Sequence, residues 1–324
     1  VAPYGLFLYE LGYRGREIFA PKHYLKQFHP KYTAKEKLES MAKEAGFQFW
    51  YQLFGQKNNV YTNTDRPVVY PWKVIKPWGA EGITAERNPY YFKIDPAGNQ
   101  LPYIDKIQVN IVTNIEMQNM KAISGEADFA GLQTTMENYT LYKENEKKGN
   151  YRVLLWQRVQ GTDVAYQLNL TYKDDLVLRD IFRDVRFRRA LSLAINRDEI
   201  NQALYYGMAT PRQACPIPSS PYFEEQFANA YIKYDPQEAN RLLDEMGLKR
   251  GPDGYRLRPD GKRLEITLEY VQMETPKRQT TEFVVRYWDA IGIKVAVKEV
   301  TGELQSTRVM ANKMQMSLWH ADRC

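Results

Sequence analysis

Cysteine is nearly absent from this chain: its 324 residues hold two, Cys215 and Cys324, beside only three histidines, His23, His29 and His320. Two isolated cysteines offer neither a metal-ligand spacing nor a redox pair. Cysteine usage this low fits either redox compartment. Long apolar runs are missing too, and none reaches the roughly 18–20 residues that a bilayer requires. No secretory leader opens the chain, which begins Val1-Ala2-Pro3 without a methionine, as a processed or excised piece would. Basic residues outnumber acidic ones by 45 to 39, a net charge of +6, but they are scattered and form no run. That pattern argues against nucleic-acid binding.

Catalytic signatures are equally scarce. There is no G-x-S-x-G, no phosphate-binding P-loop, no H-E-x-x-H and no dinucleotide fingerprint. His23 lies in the polar stretch Pro21-Lys22-His23-Tyr24, and no Ser or Cys motif offers itself as a partner, so a solvated or structural histidine is expected. The carboxylate pairs Asp174-Asp175 and Glu224-Glu225 are sequence neighbours whose side chains diverge, unlike a catalytic pair that shares one site. No catalytic residue, metal site or cofactor is expected.

What is present is a globular α/β pattern with a high aromatic share, 13% with 24 Tyr, which suits ligand contact through ring faces and hydroxyls. Thr33-Ala34-Lys35-Glu36 reads as a capping box ahead of Leu38, Met41, Ala42 and Ala45, with Gly46 as the stop. Asp184 is placed to cap a helix burying Phe187, Ala190, Leu191, Ala194 and Ile195. Asn196-Arg197-Asp198-Glu199 restarts a second helix that stops at Gly207, so two consecutive helices should meet at Asn196. Asp235-Pro236-Gln237-Glu238 combines an N-cap Asp with Pro at N1, and its apolar face runs through Ala239, Leu242, Leu243 and Met246 to Gly247. Strands are expected at Ile107–Ile111, at Val164–Leu170, and from Leu264 to Tyr270 after a Pro259-Asp260-Gly261 turn. A helix near Arg278–Ile291, the alternation Ile293, Val295, Val297, a further helix, and a strand-like Met314–Trp319 complete a βαβ rhythm on a mixed sheet. No low-complexity linker separates domains, and the expected seam lies near Gln160–Lys173.

One stretch, Glu86 to Asp105, packs the turn formers Asn88-Pro89, Pro96-Ala97-Gly98-Asn99 and Leu101-Pro102 around four aromatics. These residues have ample local reasons to be present, so the expected role is to fix how the chain folds back rather than to touch a ligand. The same stretch resembles the segment that precedes a returning strand in the bacterial extracellular solute-binding proteins of family 5, the oligopeptide- and dipeptide-type binding proteins of ABC importers. Gly125-Glu126-Ala127-Asp128-Phe129 is similar to that family's G-x-x-D-hydrophobic segment. Tyr166-Gln167-Leu168-Asn169 resembles its strand ending in Asn. Phe182 to Leu191, followed by Ala194-Ile195-Asn196-Arg197, is similar to D-x-R-x-R-x-A…A-I-D-R, with Asn196 in place of the usual Asp. Tyr206-Gly207 with Pro211, the Asp235 helix and the Gly292-Ile293 strand follow in register.

The resemblance implies a periplasmic-binding-protein-like class II fold: two α/β lobes with mixed sheets, here incomplete because family members are considerably longer. The later part of the large lobe would occupy 1–160 and most of the second lobe 161–324. It implies an extracytoplasmic protein, periplasmic or a cell-surface lipoprotein, that captures oligopeptides in an inter-lobe cleft and hands them to a membrane permease, as a monomer. Oligosaccharide binding within the same family is the first alternative. A hydrolase acting on peptides or sugars is an alternative of another class, and a sensory or structural module is a third. Trp319-His320-Ala321-Asp322 is similar to the family's W-x-[AG]-D motif, which makes Asp322 the expected partner of a ligand's ammonium group. Trp319 is then an apolar wall or stacking face, and Asn169 lies where a lobe-crossing strand would edge the cleft.

Overall fold

The computed structural model describes residues 20–131, 134–157, 160–272 and 276–320. The chain forms two compact units, Val1–Thr113 and Asn114–Cys324.

In the first unit, α1 (Lys22–Leu25), α2 (Lys35–Glu44) and α3 (Trp50–Asn58) meet around Leu25, Phe28, Ala42 and Leu53. The expected capping box at Thr33 does not form. Ala34 is the N-cap, and the Thr33 hydroxyl donates instead to the Lys26 and Gln27 carbonyls at 3.3 and 3.1 Å, tying α2 to the turn before it. The strands β1 (Trp72–Gly79), β2 (Gly82–Arg87) and β3 (Lys106–Asn110) form an antiparallel sheet in that order. Gly82 has φ +119°, and a Cβ there would stand 1.8 Å from the Val109 carbonyl oxygen, so the β1–β2 turn admits only glycine.

The stretch between β2 and β3 is held by its own turn chemistry. Buried Asn88 donates Nδ2 to the Val68 and Tyr70 carbonyls at 3.1 and 3.0 Å, while its Oδ1 accepts from Tyr90 N–H. Asp95 accepts from the N–H groups of Ala97 and Asn99, from Asn99 Nδ2, and from Tyr103 Oη at 2.7 Å. The Tyr103 hydroxyl, then Asn99, hold the Asp95 carboxyl down at about 2.

In the second unit a four-stranded sheet runs in the order β4-β7-β5-β6, with β4 Ala165–Leu168, β5 Glu265–Tyr270, β6 Lys294–Glu299 and β7 Met316–Trp319. β5 is parallel to both β6 and β7, whereas β4 is antiparallel to β7, so the sheet is mixed as expected. Leu264, Ile266, Leu268 and Tyr270 are all buried, as are Ile293, Val295, Met316 and Leu318. The helices α4 (Ile115–Ile123) and α5 (Tyr139–Gly149) precede β4, and α6 (Leu176–Arg183), α7 (Val185–Leu193) and α8 (Arg197–Tyr205) follow it. After them come α9 (Glu225–Ala228), α10 (Pro236–Glu245), α11 (Lys277–Ala290) and α12 (Gly302–Met310).

The caps set these boundaries. Asp184 Oδ1 accepts from Arg186 N–H, Asn196 Oδ1 from Glu199 N–H, and Asp235 Oδ1 from Glu238 N–H at 2.9 Å. α7 and α8 therefore meet at Asn196, and α8 ends through left-handed Tyr206 and Gly207. Trp288 of α11 is buried against Tyr166, their rings 5.1 Å apart, and donates Nε1 to the Leu191 carbonyl at 3.0 Å.

Candidate functional site

Within the second unit lies a cavity of about 2180 Å³. One wall comes from α4, α5 and the irregular segments 127–131 and 150–157. The other comes from β4, α7, α8, the loop around Thr210–Ala214, and the face of α11 carrying Thr280, Val284 and Trp288. A cavity this large exceeds the roughly 300–1,000 Å³ of a typical small-molecule site. It has room for a chain-like ligand of several units.

Its walls are built by local sequence logic. Gly161 runs so close to the 212–215 segment that a Cβ would stand 2.3 Å from the Cys215 carbonyl oxygen, and Arg212 Nε donates to the Gly161 carbonyl at 3.2 Å. Tyr166 presents its hydroxyl to Thr281 Oγ1 at 3.2 Å, and burial pushes its phenol above the ordinary range. Arg197 enters the wall through the N-terminus of α8. Its guanidinium donates to the Ser192 carbonyl (2.9 Å), the Ile232 carbonyl (3.2 Å) and Ser192 Oγ (2.9 Å). Burial pulls the Arg197 pKa down to about 10, which still leaves it charged at neutral pH. Ser192 Oγ also accepts from Gln213 Nε2 at 2.8 Å and gives its own proton to the Tyr231 carbonyl at 2.8 Å. That commitment makes Ser192 a structural hub with no proton to spare for a base. At the lip, Phe129 and Trp156 are 77% and 74% exposed, with ring centroids 6.4 Å apart.

The residues singled out from sequence fall in three places. Trp319 closes β7 opposite Ala165, half-buried, with Lys277 Nζ 4.5 Å from its ring centroid and the His320 ring 4.8 Å away. Asn169 follows β4 at its other end. Its Nδ2 donates to Asn312 Oδ1 and the Met314 carbonyl at 2.7 Å each, and its Oδ1 accepts from Thr171 N–H and Oγ1. Leu168 and Leu170 line the cavity on either side of Asn169, which does not. Asn169 is four positions along the chain from Ala165, so it and Trp319 stand at opposite ends of the β4–β7 ladder, roughly 13 Å apart at a strand's rise. Asp322 lies outside the described residues. The neighbouring carboxylates Asp174 and Asp175 diverge as expected: Asp174 meets Lys313 Nζ at 2.9 Å, while Asp175 caps α6 and pairs with Arg258. Among the described residues no group of three His, Cys, Asp or Glu side chains could hold a metal ion.

Sequence reasoning passed over the cavity residues Arg197, Gln213 and Thr280. The Arg197 position was legible as part of a cap, but not as a wall, because the Ile232 carbonyl, and Gln213 on the shared Ser192 Oγ, arrive only through tertiary contact.

A profile described as "Bacterial extracellular solute-binding proteins, family 5 Middle" matches residues 23–322. The chain is similar to the periplasmic alpha-galactoside-binding protein of Rhizobium meliloti, at 26% identity over 87% of this chain and 40% of that protein. It is similar to the oligopeptide-binding protein OppA of Lactococcus lactis subsp. lactis, at 25% identity over 73% of this chain and 38% of that one. Among solved structures, an oligopeptide-binding protein OppA superposes with a TM-score of 0.64 at 43% identity, over 100% of this chain and 51% of that one. The periplasmic binding protein MelB in complex with stachyose, from Agrobacterium fabrum C58, superposes at 0.67 with 22% identity, over 94% and 44%. The chain thus spans about half or less of the length of these relatives. With a matched profile over nearly its whole length and the mixed-sheet α/β fold of these neighbours, the chain belongs to the bacterial extracellular solute-binding proteins, family 5.

Proposed function

We propose that this chain is part of an extracytoplasmic solute-binding protein of an ABC importer, which captures oligopeptides in a cleft and delivers them to a membrane permease without breaking a bond. The observation that carries the reading is the cavity of about 2180 Å³ in the second unit, with exposed rings at its lip and hydrogen-bonded polar groups in its wall. Peptide binders hold backbones by hydrogen bonds and leave side chains in wet space, which suits an open cavity of this size. Ligand binding would bias an open–closed equilibrium of two lobes, and closure would create the state a permease recognises.

In this reading the lobe boundary falls at 160/161, just ahead of β4, with 1–160 in the large lobe and 161–324 in the second. Asp322 is the proposed ligand carboxylate, Trp319 the apolar wall beside it, and Asn169 the far edge of the cleft. A monomer, periplasmic or anchored as a cell-surface lipoprotein, is the proposed form. No helix among the described residues is long and apolar enough to cross a membrane. An oligosaccharide ligand is the second reading, favoured by the relatives named for alpha-galactosides and solved with stachyose.

The test is a thermal-shift screen of the complete natural protein against peptide and oligosaccharide panels. A binder is stabilised in proportion to ln(1 + [L]/Kd). Turnover of a panel member without stabilisation would replace the binding reading with the hydrolase one.

A further inference from the structure

The first turn of α11 meets the cavity at Pro276 and Thr280, with one hydroxyl that the fold leaves unused. Its N-cap residue, Pro276, has no side-chain acceptor, although helix N-termini need partners for their first N–H groups. Gln272 Oε1 takes the Arg278 N–H at 3.3 Å, and the Pro276 carbonyl takes that of Thr280 at 2.9 Å. The 14 residues of α11 place about half a positive charge at this end.

Thr280 supplies an independent observation. It lines the cavity, is 6% exposed, and its Oγ1 is buried without a hydrogen-bond partner. A helical threonine has two accessible χ1 wells and commonly uses one to bond the carbonyl a turn back. Here that bond is not made, so the hydroxyl of a cavity-lining residue is left for another partner. Gln279 Oε1 in the same turn is also without a partner, but Gln279 does not line the cavity.

A third positive feature stands beside these two. Lys277, 1% exposed, donates Nζ to the Val271 carbonyl at 3.1 Å and sits 4.5 Å from the Trp319 ring centroid. Trp319 pairs with Ala165, itself in the cavity wall. Glu299, the acid that β6 brings to this helix end, is already held by Arg278 Nη2 at 2.7 Å.

We infer that this corner of the cavity is a subsite for a carboxylate of the ligand, with Thr280 Oγ1 as its direct donor and Lys277 as the buried charge that draws it there. A helix N-terminus, a hydroxyl donor and an ammonium all favour a negative oxygen, and in a water-poor corner such bonds are strong. The inference rests on the cavity being the ligand site. The carboxylate can come from a peptide's C-terminus or from a uronic acid; the chemistry is shared.

The experiment titrates the complete natural protein, and its Thr280→Val and Thr280→Ser variants, with four probes. These are a random pentapeptide pool, the same pool amidated at its C-terminus, oligogalacturonate, and stachyose. The expected result is that a free-acid pool binds about tenfold more tightly than its neutral counterpart. Thr280→Val should erase that ratio and Thr280→Ser keep it, and whichever acidic pool binds identifies the source. Equal affinity for acid and neutral forms, or a ratio untouched by Thr280→Val, overturns the subsite while leaving the binding reading intact. No binding of any probe overturns both.

Discussion

Arg256→Met should be the most damaging single substitution outside the apolar core. Arg256 is 1% exposed, yet it carries a full guanidinium fork. Nε donates to the Ile291 carbonyl at 2.8 Å, Nη1 to the Leu248 carbonyl and Asp244 Oδ1 at 2.6 Å each, and Nη2 to Asn240 Oδ1 at 2.7 Å. One side chain thus locks α10, the turn after it and the C-terminus of α11 together. Asp244 is 66% exposed, so its share of the pairing is screened and contributes little. The cost lies in the carbonyls of Ile291 and Leu248, which lose donors in a place water reaches poorly, whereas Asn240 Oδ1 keeps Arg250 Nη2 at 3.3 Å. Each stranded acceptor costs about 1–3 kcal/mol, and partial relaxation brings the total to about 3–5 kcal/mol. Methionine fills the volume, so the measurement isolates hydrogen bonding from cavity formation. At about 2–4 °C per kcal/mol, the melting temperature should fall by roughly 10 °C. Arg256→Lys should fall between, since one ammonium cannot reproduce the fork. Arg241, exposed and paired with Glu238 and Glu245, is the control, and Arg241→Met should leave the melting curve in place. Equal curves for Arg256→Met and Arg241→Met would refute the clamp.

Four further outcomes are expected. Asp235→Ala and Asn196→Ala should each lower stability by about 1 kcal/mol in chemical denaturation, the usual loss of an N-cap acceptor. The Arg186 fork holds the Asp184 carboxyl below its usual range against partial burial, so its stabilisation is present above the unfolded pKa near 3.9 and fades as pH falls through the folded value; Asp184→Asn should flatten the acid limb of a stability–pH profile below about pH 4. Gly161→Ala should cost roughly 1–3 kcal/mol, read by thermal melting, because its Cβ must displace the Cys215 backbone. Asp322→Asn should weaken a ligand bearing a free ammonium by about 1.5–3 kcal/mol in calorimetric titration, and equal affinity in parent and variant would remove Asp322 from the site.

The second unit was largely legible because its signals are local. Asp184, Asn196 and Asp235 fix helix starts within three residues of themselves, and the alternation from Leu264 to Tyr270 needs only a pleat to become a buried face. β1 and β2 escaped notice because Pro77 and Gly79 interrupt the first and exposed polar positions dilute the second. α6 was missed although its signal was present: Asp175 caps a run that buries Leu178, Ile181 and Phe182, but beside Asp174 it reads as a charge pair. Thr33 misled in the opposite direction. Its spacing to Glu36 suits a capping box, yet the helix starts one residue later and the hydroxyl finds carbonyls seven and six residues back. Local pattern names a capable side chain, and tertiary competition decides which partner it takes.

The same distinction separates the rigid parts of the cavity wall from its adaptable corner. Around Ser192, every donor and acceptor is engaged: Arg197 and Gln213 give protons to its oxygen, and its own proton goes to Tyr231. α8 is fastened to α11 by Glu199, which accepts from Tyr287 Oη at 2.6 Å and from Arg286 Nη2 at 2.5 Å. Groups so fully committed hold their positions whether or not a ligand is present, which lowers the ordering cost of binding. They also have little left to offer a ligand. At the start of α11 the reverse holds, because Thr280 lines the same wall with its hydroxyl unpaired. A satisfied network fixes the shape of the cavity, and an unsatisfied donor in that wall is where a ligand gains a bond that folding did not use. Selectivity should therefore be sought at Thr280 rather than at the Arg197 hub.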